Sequence, residues 1–366
     1  MQIRRVVLKR VRNFRDFDRS FEDSWTGRVP EALLLMGPNG SGKSTLLKVV
    51  AQLWQGFNSF LQKEERPVTL PDNVFAPSPE FAAIELTGWL NKPVWVYAAT
   101  GDRLHRSIIT AQREAYRIGL LYKHAANGVP GSRFWLYEHA APGQGEAISL
   151  SRGDPLPGWA DRLTQDLILA SSQEDIDLPN MVYLDSEGRQ LLPLREKFSV
   201  QPEAEEYRWL ARYEPATSRR GSLQNYLYNL KALKPSTFHD IVEHANAFLS
   251  GKRVADFDPR TGDLLVQIDG GDSHPIEELS SGEKQVLLML ATITRWLRPG
   301  GIVLIDEPDL HLHVSLATAL VSHLRRLVSG KGGQLIVASH MPELWEGFPE
   351  SHRVWLGATG DTERPR

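Results

Sequence analysis

The 366-residue chain is 41% hydrophobic and 24% charged, close to the globular average. That composition excludes collagen-like, fibrous and disordered classes, and the length predicts two or three domains or lobes at roughly 150 residues each. The absence of cysteine rules out a disulfide framework, a cysteine nucleophile and a thiolate zinc site, and a net charge of −3 means that any nucleic-acid contact needs a local basic patch.

The first residues, MQIRRVVLKRVRNF, are interrupted by charge too often for the apolar core of a signal peptide. No apolar run approaches the ~18 residues that cross a bilayer, so a cytoplasmic protein with no membrane contact is expected. Ile3 to Phe14 reads as a strand or strand pair with one wet face. Ala32 to Met36 (ALLLM) is a short strand of the buried parallel type. It runs into GPNGSGKS, and a helix follows from Thr45 to about Trp54 on the apolar side of Leu46, Leu47, Val49, Val50 and Leu53. Prolines from Pro67 to Pro179 then punctuate strand-like runs at Ile84 to Leu90, Val94 to Ala98 and Phe134 to Tyr137, which predicts an antiparallel β-rich insertion over about 57–180. Met181 to Leu184 is a further strand. Glu203 to Leu249 is helical in pattern, broken by Pro215 and Pro235, and Val254 to Asp269 reads as a hairpin. ELSSGEKQ opens a long helix to about Leu297. A strand at Ile302 to Asp306, a helix at Ser315 to Val328 and strands at Leu335 to Ala338 and Val354 to Leu356 complete the chain. There is no internal repeat and no sustained heptad pattern.

Two motifs carry chemistry. Gly37, Pro38, Asn39, Gly40, Ser41, Gly42, Lys43 and Ser44 fit GxxxxGK[ST]. Glycines let successive N–H groups turn inward around phosphate oxygens, and the following helix presents its N-terminus to the anion. Lys43 reaches the β- and γ-phosphates and the Ser44 hydroxyl ligates Mg²⁺. The second motif, GIVLIDEP, is an apolar strand ending in two acids. Asp306 would hold Mg²⁺, directly or through water, and Glu307 would polarise the attacking water.

Leu279 to Gln285, LSSGEKQ, resembles the signature motif of ABC ATPases, and its ending resembles the RecF, OLD and SMC branch more than the transporter form LSGGQ. VRNFRDF, Val11 to Phe17, resembles that branch's N-terminal strand and Asn-Phe turn. DEPDLHLH, Asp306 to His313, resembles its Walker B and D-loop, usually DEPExHLHP, with Asp309 in place of the glutamate and Val314 in place of the proline. ASH, Ala338 to His340, stands where the family has its switch histidine, and Asn246 to Gly270 is similar to the approach to the signature in small OLD-like AAA/ABC ATP-binding proteins. The resemblance covers about 1–55 and 245–356.

It implies an α/β P-loop ABC-ATPase head: a mixed sheet flanked by helices, an antiparallel β subdomain and a helical signature lobe. The implied division is a nucleotide lobe at 1–195 carrying the insertion, a helical lobe at 196–297, and a return to the first lobe at 298–366. The implied ligands are ATP and Mg²⁺. The implied assembly is a homodimer through two ATP sites, or a higher oligomer, in which Ser280, Ser281, Gly282 and Glu283 of one protomer complete the site of the other; such an interface is closed and isologous. Read without the resemblance, Ser280 to Gly282 is a second helix N-terminus, an anion site or a plain N-cap. The resemblance adds Thr45 and Asp309 to the nucleotide site and makes His340 a γ-phosphate sensor. Gln190 is a Q-loop candidate or a solvated loop residue, and Arg15 lies near the nucleotide or on a strand surface. The His311–His313 pair falls to the D-loop rather than to zinc.

The chain shows no coiled coil between its motif halves, and the 26 residues after His340 cannot hold a TOPRIM nuclease. An ATPase head is therefore expected, with a nuclease or toxin effector on another chain, as in stand-alone heads of bacterial genome maintenance and phage defence. The expected function is ATP hydrolysis that powers or gates a nucleic-acid-directed assembly. The alternatives are a regulatory ATP-bound scaffold with little turnover that holds such an effector, and the ATP-binding subunit of a membrane transporter. DNA contact has two candidate stretches. One is Arg4, Arg5, Lys9, Arg10, Arg12, Arg15 and Arg19; the other is Arg103, Arg106, Arg113, Arg117, Lys123 and Arg133 with interleaved aromatic residues. Each would track a phosphate backbone or form a wet face.

Overall fold

The computed structural model describes residues 1–62, 80–100, 115–124, 130–141, 144–150, 155–172, 178–189, 209–213, 223–258, 260 and 263–357. Its centre is a six-stranded sheet in the order β10-β9-β14-β15-β3-β16. These strands are Leu210–Arg212 (β10), Met181–Leu184 (β9), Ile302–Asp306 (β14), Gln334–Ala338 (β15), Ala32–Met36 (β3) and Arg353–Trp355 (β16). Every pairing in it is parallel. A parallel sheet needs cover on both faces, which is why its four inner strands, β9, β14, β15 and β3, are buried along their whole length rather than alternating. The pleat divides them: Leu33, Leu35, Ile302 and Leu304 face one core, while Leu34, Met36, Val303 and Ile305 face the other.

The first core is filled by helix α1 (Lys43–Leu61), which lies between this sheet and a seven-stranded one. Its apolar surface continues through Phe57, Phe60 and Leu61, all buried. The helix thus runs about two turns beyond the expected end near Trp54. Gly56, Asn58 and Ser59 read locally as a helix end, but burial on two sides outweighs the roughly 1 kcal/mol that such a residue costs. Trp54 stacks on Trp209 at 4.1 Å, and each indole N–H donates to the other's backbone carbonyl at 2.8 Å. That exchange satisfies both buried donors and ties α1 to the approach of β10.

The seven-stranded sheet has the order β2-β1-β4-β5-β6-β7-β8. Its strands are β1 (Gln2–Val11), β2 (Phe14–Ser20), β4 (Phe81–Thr87), β5 (Val94–Thr100), β6 (Tyr116–His124), β7 (Pro130–Ala141) and β8 (Gln144–Leu150). The β-rich insertion is therefore continuous with the N-terminal hairpin: β4 adds to the free edge of β1, pairing Val6 with Ile84. It is also not wholly antiparallel, since β5 and β6 run parallel. A helix α2 (Gly158–Ser172) packs beside α1.

Four residues of the N-terminal basic stretch are engaged in ion pairs along this sheet. Arg4 pairs with Glu22 and Glu85, Arg5 with Asp18, Lys9 with Asp16 and Arg10 with Glu80. Arg117 is only 3% exposed, so its assignment to a DNA-facing patch is corrected: it belongs to the interior of β6. Arg103, Arg106 and Arg113 lie outside the described residues.

The second core holds α3 (Leu223–Leu233), α4 (Pro235–Asn246), α5 (Ser281–Trp296), α6 (Val314–Gly330) and a three-stranded sheet of β11 (Lys252–Phe257), β12 (Leu264–Ile268) and β13 (Ser273–Pro275). Pro235 starts α4 at a position where its missing N–H costs nothing, rather than breaking a longer helix. A short helix α7 (Pro342–Trp345) follows β15. Among the described residues no helix is long and apolar enough to cross a membrane.

Candidate functional site

The register of the parallel sheet brings the motif residues to one level. Asp306 pairs with Ala338, and Ala338 with Leu35. The chain therefore leaves β3 at Gly37, β14 at Glu307, β15 at Ser339 and β9 at Asp185 along one edge. Ligands of open parallel sheets sit beyond this C-terminal edge of the strands.

Gly37 and Gly42 shape the loop after β3. A Cβ on Gly37 would lie 2.2 Å from the carbonyl oxygen of Leu356, at the end of β16. Gly42 has φ +97° and caps α1, and a Cβ there would lie 2.8 Å from Phe14. Asn13 Nδ2 donates to the Gly40 carbonyl at 2.5 Å. Asn13 and Phe14 thus brace the loop from the β1–β2 turn, a contact that sequence reasoning passed over in favour of Arg15. Arg15 itself is exposed on β2. Pro38, Asn39 and Gly40 form the exposed tip, and Thr45 opens the helix beside Ser44. Lys43 is buried, with Nζ donating to the carbonyls of Gly37 at 2.8 Å and Pro38 at 3.0 Å. Burial lowers its pKa, opposed by the charges of Glu307, Asp306 and Asp309.

Asp306 is 1% exposed. The Ser186 hydroxyl donates to its Oδ2 at 3.0 Å and the Ser44 hydroxyl also serves this carboxylate, while Oδ1 is buried with no hydrogen-bond partner. Burial raises its pKa against these hydrogen bonds. A buried, half-satisfied carboxylate beside a hydroxyl is a poor structural element and a good oxygen donor set for a hard cation. Ser44 and Asp306 therefore fit a Mg²⁺ ion.

Glu307 adopts φ +47°, in the left-handed region that costs a non-glycine residue about 1–3 kcal/mol. Its N–H donates to the Ala338 carbonyl at 2.8 Å, and its own carbonyl accepts from Arg189 Nη2 at 2.6 Å. Its Oε1 lies 3.5 Å from His340 Nδ1, so the two residues named from sequence do meet. Asp309 is buried and accepts from the Ser339 hydroxyl at 2.7 Å. Asp309 therefore fixes the turn after Glu307 to the end of β15. His313 caps α6 through Nδ1.

At the start of α5, Ser280 and Glu283 close a capping box: Ser280 Oγ accepts from the Glu283 N–H at 3.2 Å and Glu283 Oε2 accepts from the Ser280 N–H at 2.8 Å. Lys252 Nζ also reaches Glu283 at 3.0 Å. Burial would raise the Glu283 pKa, but the Ser280 N–H and Lys252 hold it below the usual carboxylate range. Ser281 is exposed, whereas Gly282 is buried under the D-loop, where a Cβ would lie 2.9 Å from the His311 carbonyl. Among the described residues no hydrogen bond or ion pair joins 37–45 to 280–283. Gln190 lies outside the described residues. Its neighbour Arg189 and Ser186 were missed; their one signal was a polar turn, DSEGR, directly after a buried strand.

A family model described as "AAA domain, putative AbiEii toxin, Type IV TA system" matches residues 33–346. The chain belongs to this family. The phosphate loop, the acidic pair and the capped start of α5 all lie within the matched residues of this AbiEii-type AAA protein. It is 30% identical over 172 residues to the "Retron Ec83 probable ATPase" of Escherichia coli, over 41% of this chain and 31% of that protein. It is 33% identical over 73 residues to "Protein ea59" of Escherichia phage lambda, over 20% of this chain and 14% of that one. Each match thus spans less than a third of the curated relative. The SMC head domain from Thermotoga maritima superposes with a TM-score of 0.41 at 13% identity, covering 98% of this chain and 94% of that one.

Proposed function

We propose that this AbiEii-type AAA protein binds ATP with Mg²⁺, hydrolyses it, and couples that cycle to a homodimer formed through two ATP sites. The observation that carries the proposal is the Asp306–Glu307 pair. One acid is buried with a free oxygen beside Ser44, and the next is held at φ +47° beside His340 at the strand ends that also launch the phosphate loop. Loop N–H groups and Lys43 would hold the β- and γ-phosphates, with Ser44 and Asp306 holding the ion that neutralises charge on their oxygens. Glu307 would accept a proton from the attacking water, and His340 would orient Glu307 and contact the γ-phosphate. Thr45 and Arg15 would contact the nucleotide from the helix start and from β2. Ser280 to Glu283, at the N-terminus of α5, would complete the site of a partner protomer, with Asp309 setting the loop between them.

The family description and the retron relative support a defence-related role; an effector, a nuclease or toxin on a separate chain, is part of the proposal. DNA as the ligand that gates turnover is part of this proposal, with the exposed Arg12 and Arg19 as its contacts. The domain division belongs to the same proposal, with its first boundary after β10 rather than at 195, since Leu210–Arg212 pairs in the central sheet, and its second at 297.

The test is steady-state ATP hydrolysis at low salt, with and without linear duplex DNA, with Lys43→Ala as blank. Glu307→Gln should bind ATP, stop turnover and accumulate dimer. A Glu307→Gln protein that hydrolyses ATP normally refutes the assigned base. A slow rate indifferent to DNA would shift the reading to the scaffold that holds an effector.

A further inference from the structure

Arg189 is a buried guanidinium at the strand ends whose contacts run to two different parts of the fold. It is 3% exposed and follows the Asp185–Gly188 turn after β9, where the Gly188 N–H donates to Asp185 Oδ1. Its Nη2 donates to the Glu307 carbonyl at 2.6 Å. Its Nη1 rests on Met289 Sδ at 3.4 Å, and its backbone carbonyl accepts from Gln285 Nε2 at 2.6 Å. Met289 and Gln285 both lie on α5, Gln285 three residues after Gly282. Nε is buried without a hydrogen-bond partner. A fully buried arginine is costly and is retained where its charge is used; here Asp306, Asp185, Asp309 and Glu307 supply the compensating field.

Glu307 sits in a backbone conformation that persists only where its surroundings over-determine it. Its N–H is fixed by β15, a part of the sheet. Its carbonyl is fixed by a group whose other anchors are on α5. The geometry therefore couples the glutamate backbone to the signature-like helix. We propose that Arg189 is a positioning residue that transmits the setting of α5 to Glu307, so that engagement of the α5 N-terminus by a second protomer aligns the glutamate. This rests on Glu307 as the base for hydrolysis, as proposed above. The link acts through the peptide of Glu307 and makes no contact with the reacting atoms.

The experiment uses the full chain and two variants, Arg189→Ala and Arg189→Lys. In steady-state ATP hydrolysis, Arg189→Ala should lose about 10- to 100-fold in kcat, the scale of a misaligned catalytic group, with KM within about twofold. Millimolar guanidinium ion should restore part of that kcat, while methylammonium at the same concentration should not. Arg189→Lys keeps the charge but not the fork and should fall between wild type and Arg189→Ala. Loss of kcat with a matching rise in KM and no guanidinium rescue would assign Arg189 a structural role and overturn the proposal, as would a kcat within twofold of wild type. A second arm does not depend on turnover. In hydrogen exchange on the nucleotide-free protein, Arg189→Lys should speed exchange in 306–312 and in the first turns of α5 together, leaving β3 unchanged. Unchanged exchange in either segment overturns the coupling. If the wild-type protein itself lacks ATPase activity, the hydrolytic reading fails while this second arm still decides the link between α5 and Glu307.

Discussion

Replacing Gly42 with alanine would impose two separable costs. The first is conformational: φ +97° is open to glycine and costs an L-residue about 1–2 kcal/mol. The second is steric, since the new Cβ would lie 2.8 Å from Phe14 Cζ and 2.9 Å from Cε2, and overpacking of a closed site costs about 1–3 kcal/mol. Together they predict a loss of roughly 2–5 kcal/mol. An unfolding entropy of about 2 cal/mol/K per residue makes this a fall in Tm of about 3–7 °C for a chain of this length. Phe14→Leu removes the ring that the Cβ would meet and costs about 1–2 kcal/mol alone. In the double variant the steric cost disappears and the conformational cost remains. A thermal-melt cycle on the four nucleotide-free proteins should therefore give a favourable coupling of about 1–3 kcal/mol. Displacement of a fluorescent ATP analogue should weaken in both single variants, because the β1–β2 turn and the phosphate loop are braced by the same contact. Additive melts, within about 0.5 kcal/mol, would refute the reasoning that Phe14 packs on the loop.

Asn13→Ala removes a hydrogen bond to the Gly40 carbonyl and should raise the ATP KM about 3- to 10-fold, read from initial rates, with Tm nearly unchanged. Glu307→Gly should melt above Glu307→Ala, inverting the usual order of these residues, because glycine alone accepts φ +47° without strain; the reverse order in paired melts would deny the strain. Asp306 has a pKa raised by burial, so its stability contribution is full below the ordinary carboxylate pKa and is lost as pH rises through the raised value. Asp306→Asn should accordingly raise the Tm of nucleotide-free protein at pH 8, with the gain fading toward pH 4 in a series of melts. A gain that grows as pH falls would contradict that sign.

The readable parts of this fold share a physical trait: they are set by local pattern. ALLLM, MVYL and IVLID need no distant partner to be recognised as buried parallel strands, since each is apolar on both faces and ends in a polar turn. GPNGSGKS has its meaning in glycine conformations and one lysine. By contrast, α1 extends beyond Trp54 because two sheets cover it, and β1 joins β4 because its open edge needs hydrogen-bond partners. No local signal reports either. The basic N-terminal stretch likewise looked free until the register of β1, β2 and β4 placed Glu22, Asp18 and Glu85 beside it.

The sequence alone determined the phosphate loop, the acidic pair and the existence of the strands that bear them, because short motifs specify those conformations and chemistries. Tertiary structure alone decided which groups stand between them. Asn13 and Phe14 press on the loop, Ser339 holds Asp309, and Arg189 spans α5 and the Glu307 carbonyl. Such contacts join residues far apart in the chain, and only the packing of two cores around one parallel sheet brings them within hydrogen-bond reach.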